Sequence, residues 1–462
     1  MKNITSNIIM IGLVLVLSGC DNYLDITPTD SIDDSKAFET IEDLEKGMIG
    51  VYAMLGNSSA VALSSRGGDD VRLSSQNRGQ GIQVHNWTYN AGTSDVGAYW
   101  TQMYFAIDRA NRMLAVAKQF DAEDDIVIRV RGEALFVRAW AHFELAYVYC
   151  KNYDAADPKG LPYMKESVIS LPARLSQGVV FQNILDDLSA SLPLLSGIDR
   201  GSKYISENAI YALRARIALH MRNWDDAILY SSKVIDESGI RIATIEEIGS
   251  VWDDENADGV EVIFKMARSI GEGNLGDIFT DSSNGDIYFS PGTDLMAQYD
   301  TDDVRHSVYF GVDASGNDVV AKHNGRPDQP ANLVDVKVFR VSEMYLLRCE
   351  AYAEKSMWDE SMADINLLRE NRITSPEEVL YGTRDNALKA IREERRRELA
   401  YEGFRFFDLK RWGLPIERTP EDSELASNDK LPAGNYRFVM PIPQAEIFAN
   451  TNMKQNDGYE NN

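Results

Sequence analysis

The stretch ALRARIALHMRNWDDAILY, residues 212–230, recurs in pattern as LLRCEAYAEKSMWDESMAD, residues 346–364. Arg214 matches Arg348, Ala215 matches Cys349 and Trp224 matches Trp358, all at one offset of 134 residues. Each stretch reads as helix, short turn, helix. An acidic pair follows each Trp, Asp225-Asp226 and Asp359-Glu360, where it complements the positive end of a helix dipole. Ala215 and Cys349 stand where two helices would cross closely and only a small side chain fits.

This pattern resembles the tetratricopeptide unit, although the two copies are dispersed rather than tandem. Such units stack and offer surfaces. Another helix is marked from about Val130 to Tyr149. Phe136, Trp140, Phe143, Tyr147 and Cys150 recur there at steps of four, three, four and three, an aromatic stripe read as core. His142 borders it as a packed helix histidine. Strand signals are few: Val260–Phe264, a hairpin of 308–312 with 318–322, and Tyr436–Met440. The expected fold class is mostly α, with helix pairs, long irregular loops and small β-hairpins.

Two stretches read as neither helix nor strand. Residues 56–97 are rich in Gly, Ser, Asn and Asp. Residues 267–303 hold five glycines with interspersed aromatics. Loops this long inside a domain are usually functional or disordered, so a binding site is sought here.

The amino terminus bounds the setting. Lys2 precedes an apolar run from Ile8 to Leu17, followed by Ser18-Gly19-Cys20. The ten-residue run is half of what spanning a bilayer takes, and it reads as a secretory signal. Leu17-Ser-Gly-Cys20 resembles the bacterial lipobox, which implies cleavage before Cys20 and its acylation. More than one acyl chain is needed for stable anchoring, and lipobox cysteines carry more than one. Asp21 and Asp25 resemble a surface-export signal. The expected organisation is signal 1–19, lipidated tether 20–36, an N-terminal region 37–230 and a C-terminal region 231–462, the last two sharing one compact domain.

The full chain of 462 residues carries −25 at neutral pH. Removing 1–19 takes away one Lys and no acid, leaving −26. That charge disfavours nucleic acid and anionic head groups as partners. Only three cysteines are present. With Cys20 acylated, Cys150 and Cys349 are read as buried, unpaired packing residues.

No catalytic constellation stands out. The five histidines lack metal-ligand spacing, and no nucleophile elbow or phosphate-cradling loop is found. Asp254-Glu-Asn-Ala-Asp-Gly259 matches half of a calcium loop, but Lys265 takes the position that needs a bidentate Glu. It is read as a polar turn. Arg395-Arg396-Arg397 is read as part of an ion-paired helix, with Glu393 and Arg397 at the favourable spacing. Phe404, Phe406 and Phe407 would seat the next segment in the core. No cofactor and no metal are expected.

Longer motifs resemble the SusD/RagB outer-membrane lipoproteins of Bacteroidota. They are RVSEMYLLRCEAY at 340–352, ERRRELAYEG at 394–403, DLKRWG at 408–413, MPIPQAE at 440–446 and QNDGY at 455–459. The N-terminal half adds Trp100-x-x-Met-Tyr-x-x-Ile-x-x-Ala-Asn111, Gly132-Glu-Ala-x-Phe-x-Arg-Ala139, Gly160-Leu-Pro162, Arg174-Leu-Ser176 and Ile184-Leu-Asp-Asp-Leu188. Cys150 and Cys349 replace the small Gly and Ala of the family pattern. The resemblance implies a tetratricopeptide-like α fold with irregular loops above it. It also implies an outward-facing outer-membrane lipoprotein, without enzymatic activity, that passes glycans, or in some members peptides, to a SusC-like TonB-dependent transporter. Readings from other classes are a lipoprotein glycosidase and a helical scaffold that binds only protein.

The family motifs describe scaffold, so the ligand residues are sought in the loops. A sugar ring needs an apolar platform and directional polar partners. Tyr288, Phe289 and Trp252 are the platform candidates. Arg66, Asp69, Asp70 and Arg78 are the polar ones. Trp87 and Trp100 are read as core.

Overall fold

Helices dominate the computed structural model, which describes residues 37–56, 58–326 and 328–460. Signal 1–19, tether 20–36 and Cys20 lie outside the described residues. The longer helices are α1 (Ile41–Met54), α2 (Ser58–Gly67), α3 (Ser94–Val116), α4 (Asp125–Tyr149), α5 (Gln177–Leu195), α6 (Glu207–Met221), α7 (Trp224–Glu237), α8 (Val341–Glu354), α9 (Trp358–Glu370), α10 (Arg384–Glu398) and α11 (Arg405–Trp412). From α3 to α9 each packs on the next, and α10 closes on α8. None of the described helices is long and apolar enough to cross a membrane.

The repeated stretches form the hairpins α6–α7 and α8–α9. Arg222 ends α6 in left-handed backbone, and Asn223 caps α7 by accepting from the Asp226 amide. In both hairpins the matched arginine crosses to the residue sixteen positions on. Arg214 donates to the Tyr230 hydroxyl at 2.6 Å, and Arg348 forks onto Asp364 at 2.8 and 2.9 Å. The copies are distant in sequence but adjacent in space, because α7 packs on α8. Ala215 and Cys349 are fully buried. The Cys349 thiol faces the Ser361 carbonyl at 3.2 Å, and Ser361 Oγ donates back to the Cys349 carbonyl at 2.9 Å. Cys150 is also a buried free thiol. Cys349→Leu is expected to overpack the α8–α9 crossing and cost about 1–3 kcal/mol, read as a lower urea midpoint.

Residues 238–340 form an excursion between the hairpins. Its base is an antiparallel ribbon of β2 (Val262–Met266) and β6 (Val336–Arg340), with a bulge near Phe264. Within it, β3 (Phe289–Pro291) pairs back to β1 (Val71–Leu73). The expected hairpin is present, shorter, as β4 (Phe310–Val312) and β5 (Asp318–Val320). Tyr436–Met440 is not a strand. Tyr436–Phe438 is a 3-10 turn, because the Asn435 side chain accepts from the Arg437 amide and curls the backbone.

A buried ion network clamps this excursion to α10. Glu398 accepts from Arg340 at 3.0 Å, Arg372 at 3.0 Å and Arg305 at 3.2 Å. Glu261 also takes Arg340 at 2.7 Å, and Glu394 takes Arg305 at 2.6 Å. All six groups are essentially unexposed. The triple arginine is ion-paired as read, but inward. Arg395 holds Asp408 at 2.6 Å and Arg396 holds Asp70 at 2.9 Å. Arg397 pairs with Glu394 at 2.7 Å rather than with Glu393, since Glu394 faces the core and Glu393 faces solvent. Phe406 and Phe407 of α11 are buried.

Candidate functional site

Both irregular stretches contain structure that local propensity conceals. SSAVALSSRG is a weak helix former, yet it is α2. Six of its ten residues are buried, and a side chain at Gly67 would meet Phe406 of α11 at 3.0 Å. Tertiary burial overrides propensity here. The β1–β3 ribbon then joins the two stretches, with Val71 opposite Pro291 and Leu73 opposite Phe289. Stretches about 200 residues apart thus build one face.

Two clefts are lined by residues of these stretches, the second of them on the ribbon itself. The first, about 250 Å³, lies between α2, the start of α3 and residues 273–278, and is lined by Ser59, Arg66, Asp95, Asn274 and Asp277. The second, about 350 Å³, is lined by Arg72, Ser74, Gln76, Asn317, Asp318 and Glu421. Arg72 crosses from β1 to Asp318 at 2.9 Å. Tyr288 lines neither cleft, but its backbone is tied to segments beside both: its amide donates to the Phe279 carbonyl, next to Ile278 of the first, and its carbonyl accepts from the amide of Ser74, which lines the second. Its ring is half-exposed and is braced by an O–H bond to Asp281 at 2.6 Å. That bond, with some burial, pushes the phenol up to about 12. Bonds from Ser283 and Tyr288 hold Asp281 down at about 2. Arg78, largely exposed, pairs with Asp286 at 2.8 Å. The result is an oriented aromatic ring beside two partly exposed carboxylates, Asp281 and Asp286, and a guanidinium.

Of the residues nominated from sequence, Tyr288, Arg78 and Arg66 reach this face. Arg66 lines the first cleft, donates to the Ile278 carbonyl at 3.3 Å and stands 3.7 Å from Asp95. Its Nε is buried without a partner, and burial lowers its pKa. The other four belong to the scaffold. Phe289 is fully buried, packed against the His85 ring and beneath the Arg66 guanidinium. Trp252 is buried under Lys322, Lys337 and Arg340. Asp69 takes a two-pronged bond from Arg405 at 2.7 Å. Although burial opposes its charge, Arg396 and Arg405 hold its carboxyl well below the usual range. Asp70 is buried against Arg396. Trp87 and Trp100 are core, as read. Arg72, Asp281 and Asp318 were not nominated; only strand pairing reveals them.

The half calcium loop is a turn. Asp254 sits in left-handed backbone, and its carboxylate takes Lys337 at 2.7 Å and Arg326 at 3.2 Å. Those cations occupy the oxygens a metal would need. Among the described residues no cluster of metal-ligand side chains occurs.

Comparison with known proteins agrees with this architecture. A SusD family model matches residues 319–459. A second, described as starch-binding associating with outer membrane, matches 22–219. A SusD-like protein of Formosa agariphila is 24% identical over 518 residues, covering 98% of this chain and 99% of its own length. The starch-binding protein SusD of Bacteroides thetaiotaomicron is 30% identical over 142 residues, 30% of this chain and 24% of that protein. A SusD superfamily structure from Bacteroides thetaiotaomicron superposes with a TM-score of 0.79 at 23% identity, over 90% of this chain and 99% of that one. A SusD-like carbohydrate binding protein from Bacteroides vulgatus gives 0.76 at 19%, over 90% and 97%. With both halves matched in order on one shared fold, the chain belongs to the SusD/RagB family.

Proposed function

We propose that this chain is a glycan-binding protein of the outer membrane that holds oligosaccharides on the β1–β3 face without turning them over. The observation that carries this reading is Tyr288: a half-exposed ring, fixed by Asp281, on a segment tied by its backbone to Ser74 of the second polar cleft. An aromatic face gives area at low entropy cost, and the flanking carboxylates and guanidinium groups give directional bonds to hydroxyls. The names of the relatives support glycan over peptide. In the family setting the recipient is a SusC-like TonB-dependent transporter, and the stacked helical hairpins are the surface offered to it.

The test is calorimetry of lipid-free protein against a panel of neutral and acidic oligosaccharides, with peptides as the competing class. Tyr288→Ala is expected to weaken the best glycan about ten- to hundred-fold, the loss of roughly 1.5–3 kcal/mol of buried aromatic surface. Wild-type affinity in Tyr288→Ala would remove this face. Binding of peptides alone would replace the glycan reading, and cleaved product would mark a glycosidase.

The anchor has its own test. Cys20→Ala is expected to move the protein from the membrane pellet to the soluble fraction and abolish palmitate labelling. Retention in the membrane with label intact would place the anchor elsewhere.

A further inference from the structure

A second concave surface lies in the N-terminal helices, built by the last turns of α3, the segment at residue 165 and α4. It has two lobes of about 490 and 500 Å³ that share Leu114, Lys118 and Lys165. Phe38, Val116, Phe120 and Leu135 give it an apolar lining. Lys118, Arg131 and Lys165 give it charge. The chain has 72 acids against 47 bases, and neighbouring cations are matched: Arg138 by Asp187 at 2.7 Å, Arg112 by Asp108 at 3.0 Å. Yet Lys118, Arg131 and Lys165 have no acidic partner among the described residues. Glu166 at the rim is the one acid of the lining.

We propose that the occupant is the tether of this same chain, residues 21–36, lying in the groove as an extended acidic strap. Three observations select it over a foreign partner. The chain enters its described part at the groove itself, since the side chain of Phe38 forms part of the wall. The tether, DNYLDITPTDSIDDSK, carries five aspartates against one lysine, the complement of three unmatched cations. It also interleaves Tyr23, Leu24, Ile26 and Ile32 with those acids, which suits a lining that is apolar between its charges. Reach is sufficient. Asp34 to Asp25 lie four to thirteen residues before Phe38, a span of roughly 14–45 Å when extended. The association is intramolecular, so a short connection supplies an effective concentration in the millimolar range. Weak surface ion pairs can then add to an occupied state.

Docking itself does not depend on glycan binding or on the lipid. If Cys20 is acylated, docking also fixes which end of the scaffold faces the membrane, because the leash is then held beside α3 and α4 rather than free over its whole length.

The experiment uses the chain from residue 20 onward with Cys20→Ser, so that it is soluble. Ser31→Cys and Ala115→Cys place one thiol on the tether and one on the exposed groove wall without touching a charge. The two native thiols are buried. Under mild oxidation, the intramolecular disulfide is expected at least ten-fold faster than in the same chain carrying Lys118→Glu and Lys165→Glu. Both lysines are exposed, so folding is not at stake, and far-UV circular dichroism verifies it. Reversing the tether with Asp30→Lys, Asp33→Lys and Asp34→Lys should restore the rate in the groove variant. A rate indifferent to charge reversal would show proximity without docking and overturn the proposal. A bond formed only between two copies would assign the groove to a second molecule, with the same consequence.

Discussion

Replacing Glu398 with glutamine is expected to destabilise the folded chain by about 3–5 kcal/mol, the cost of breaking a buried ion pair from one side. The side chain is fully buried and accepts from Arg305, Arg340 and Arg372 at 3.0–3.2 Å. Glutamine keeps the shape but removes the charge, and its amide places a donor against guanidinium donors. Three buried cations would then share Glu261, Glu394, Glu402 and Asp303. The loss falls where it matters for the candidate site, since Arg340 ends β6 and Arg305 lies in the excursion that carries β3. Burial works against the charge on Glu398, but Arg372, Arg340 and Arg305 hold its carboxyl well below the usual glutamate range. Its folded pKa is thus depressed. Its contribution is complete above the unfolded value, about 4.3, and is lost as pH falls through the folded one. Urea titrations of wild type and Glu398→Gln should differ fully at pH 7, begin to converge only below about pH 4, and meet as pH falls through the depressed folded value. A difference under 1 kcal/mol at pH 7 would show that the network relaxes around the lost charge.

Phe289→Ala and Tyr288→Ala are expected to separate stability from binding at adjacent positions. Phe289 is fully buried, pairs opposite Leu73, and lies beneath the Arg66 guanidinium at 5.4 Å. Its truncation leaves a cavity and should cost about 3–5 kcal/mol. Tyr288 is half-exposed and touches the core only in part, so its truncation should cost about 1 kcal/mol or less while removing most glycan affinity. Denaturant midpoints and calorimetry on the same two variants check this. If the folded fraction of Phe289→Ala also loses affinity as severely as Tyr288→Ala, the buried ring supports the site as well as the fold.

The sequence by itself determined the scaffold. The 134-residue offset of Arg-x₉-Trp, with acids after each Trp, specified two equivalent hairpins, because helix pairs are written in local periodicity and caps. It determined that Cys150, Cys349 and Trp100 are core, since apolar spacing on a helix reports burial directly. It marked 56–97 and 267–303 as irregular, and there it missed α2 and the β1–β3 ribbon, which depend on burial and on remote pairing. What only the tertiary structure decided is which residues of those stretches face solvent. Arg66, Asp69, Asp70, Arg78, Tyr288 and Phe289 look alike as loop residues. Asp69 and Asp70 became scaffold because α10 and α11 bring Arg396 and Arg405 to them from more than 300 residues away. Phe289 became core because pairing with β1 seats it against His85 and Arg66, and a three-residue strand has no sequence signal to announce that pairing. Charge followed the same rule. An arginine run looks like surface in sequence, yet Arg395 and Arg396 are buried, because the carboxylates that make their burial tolerable come from remote parts of the chain.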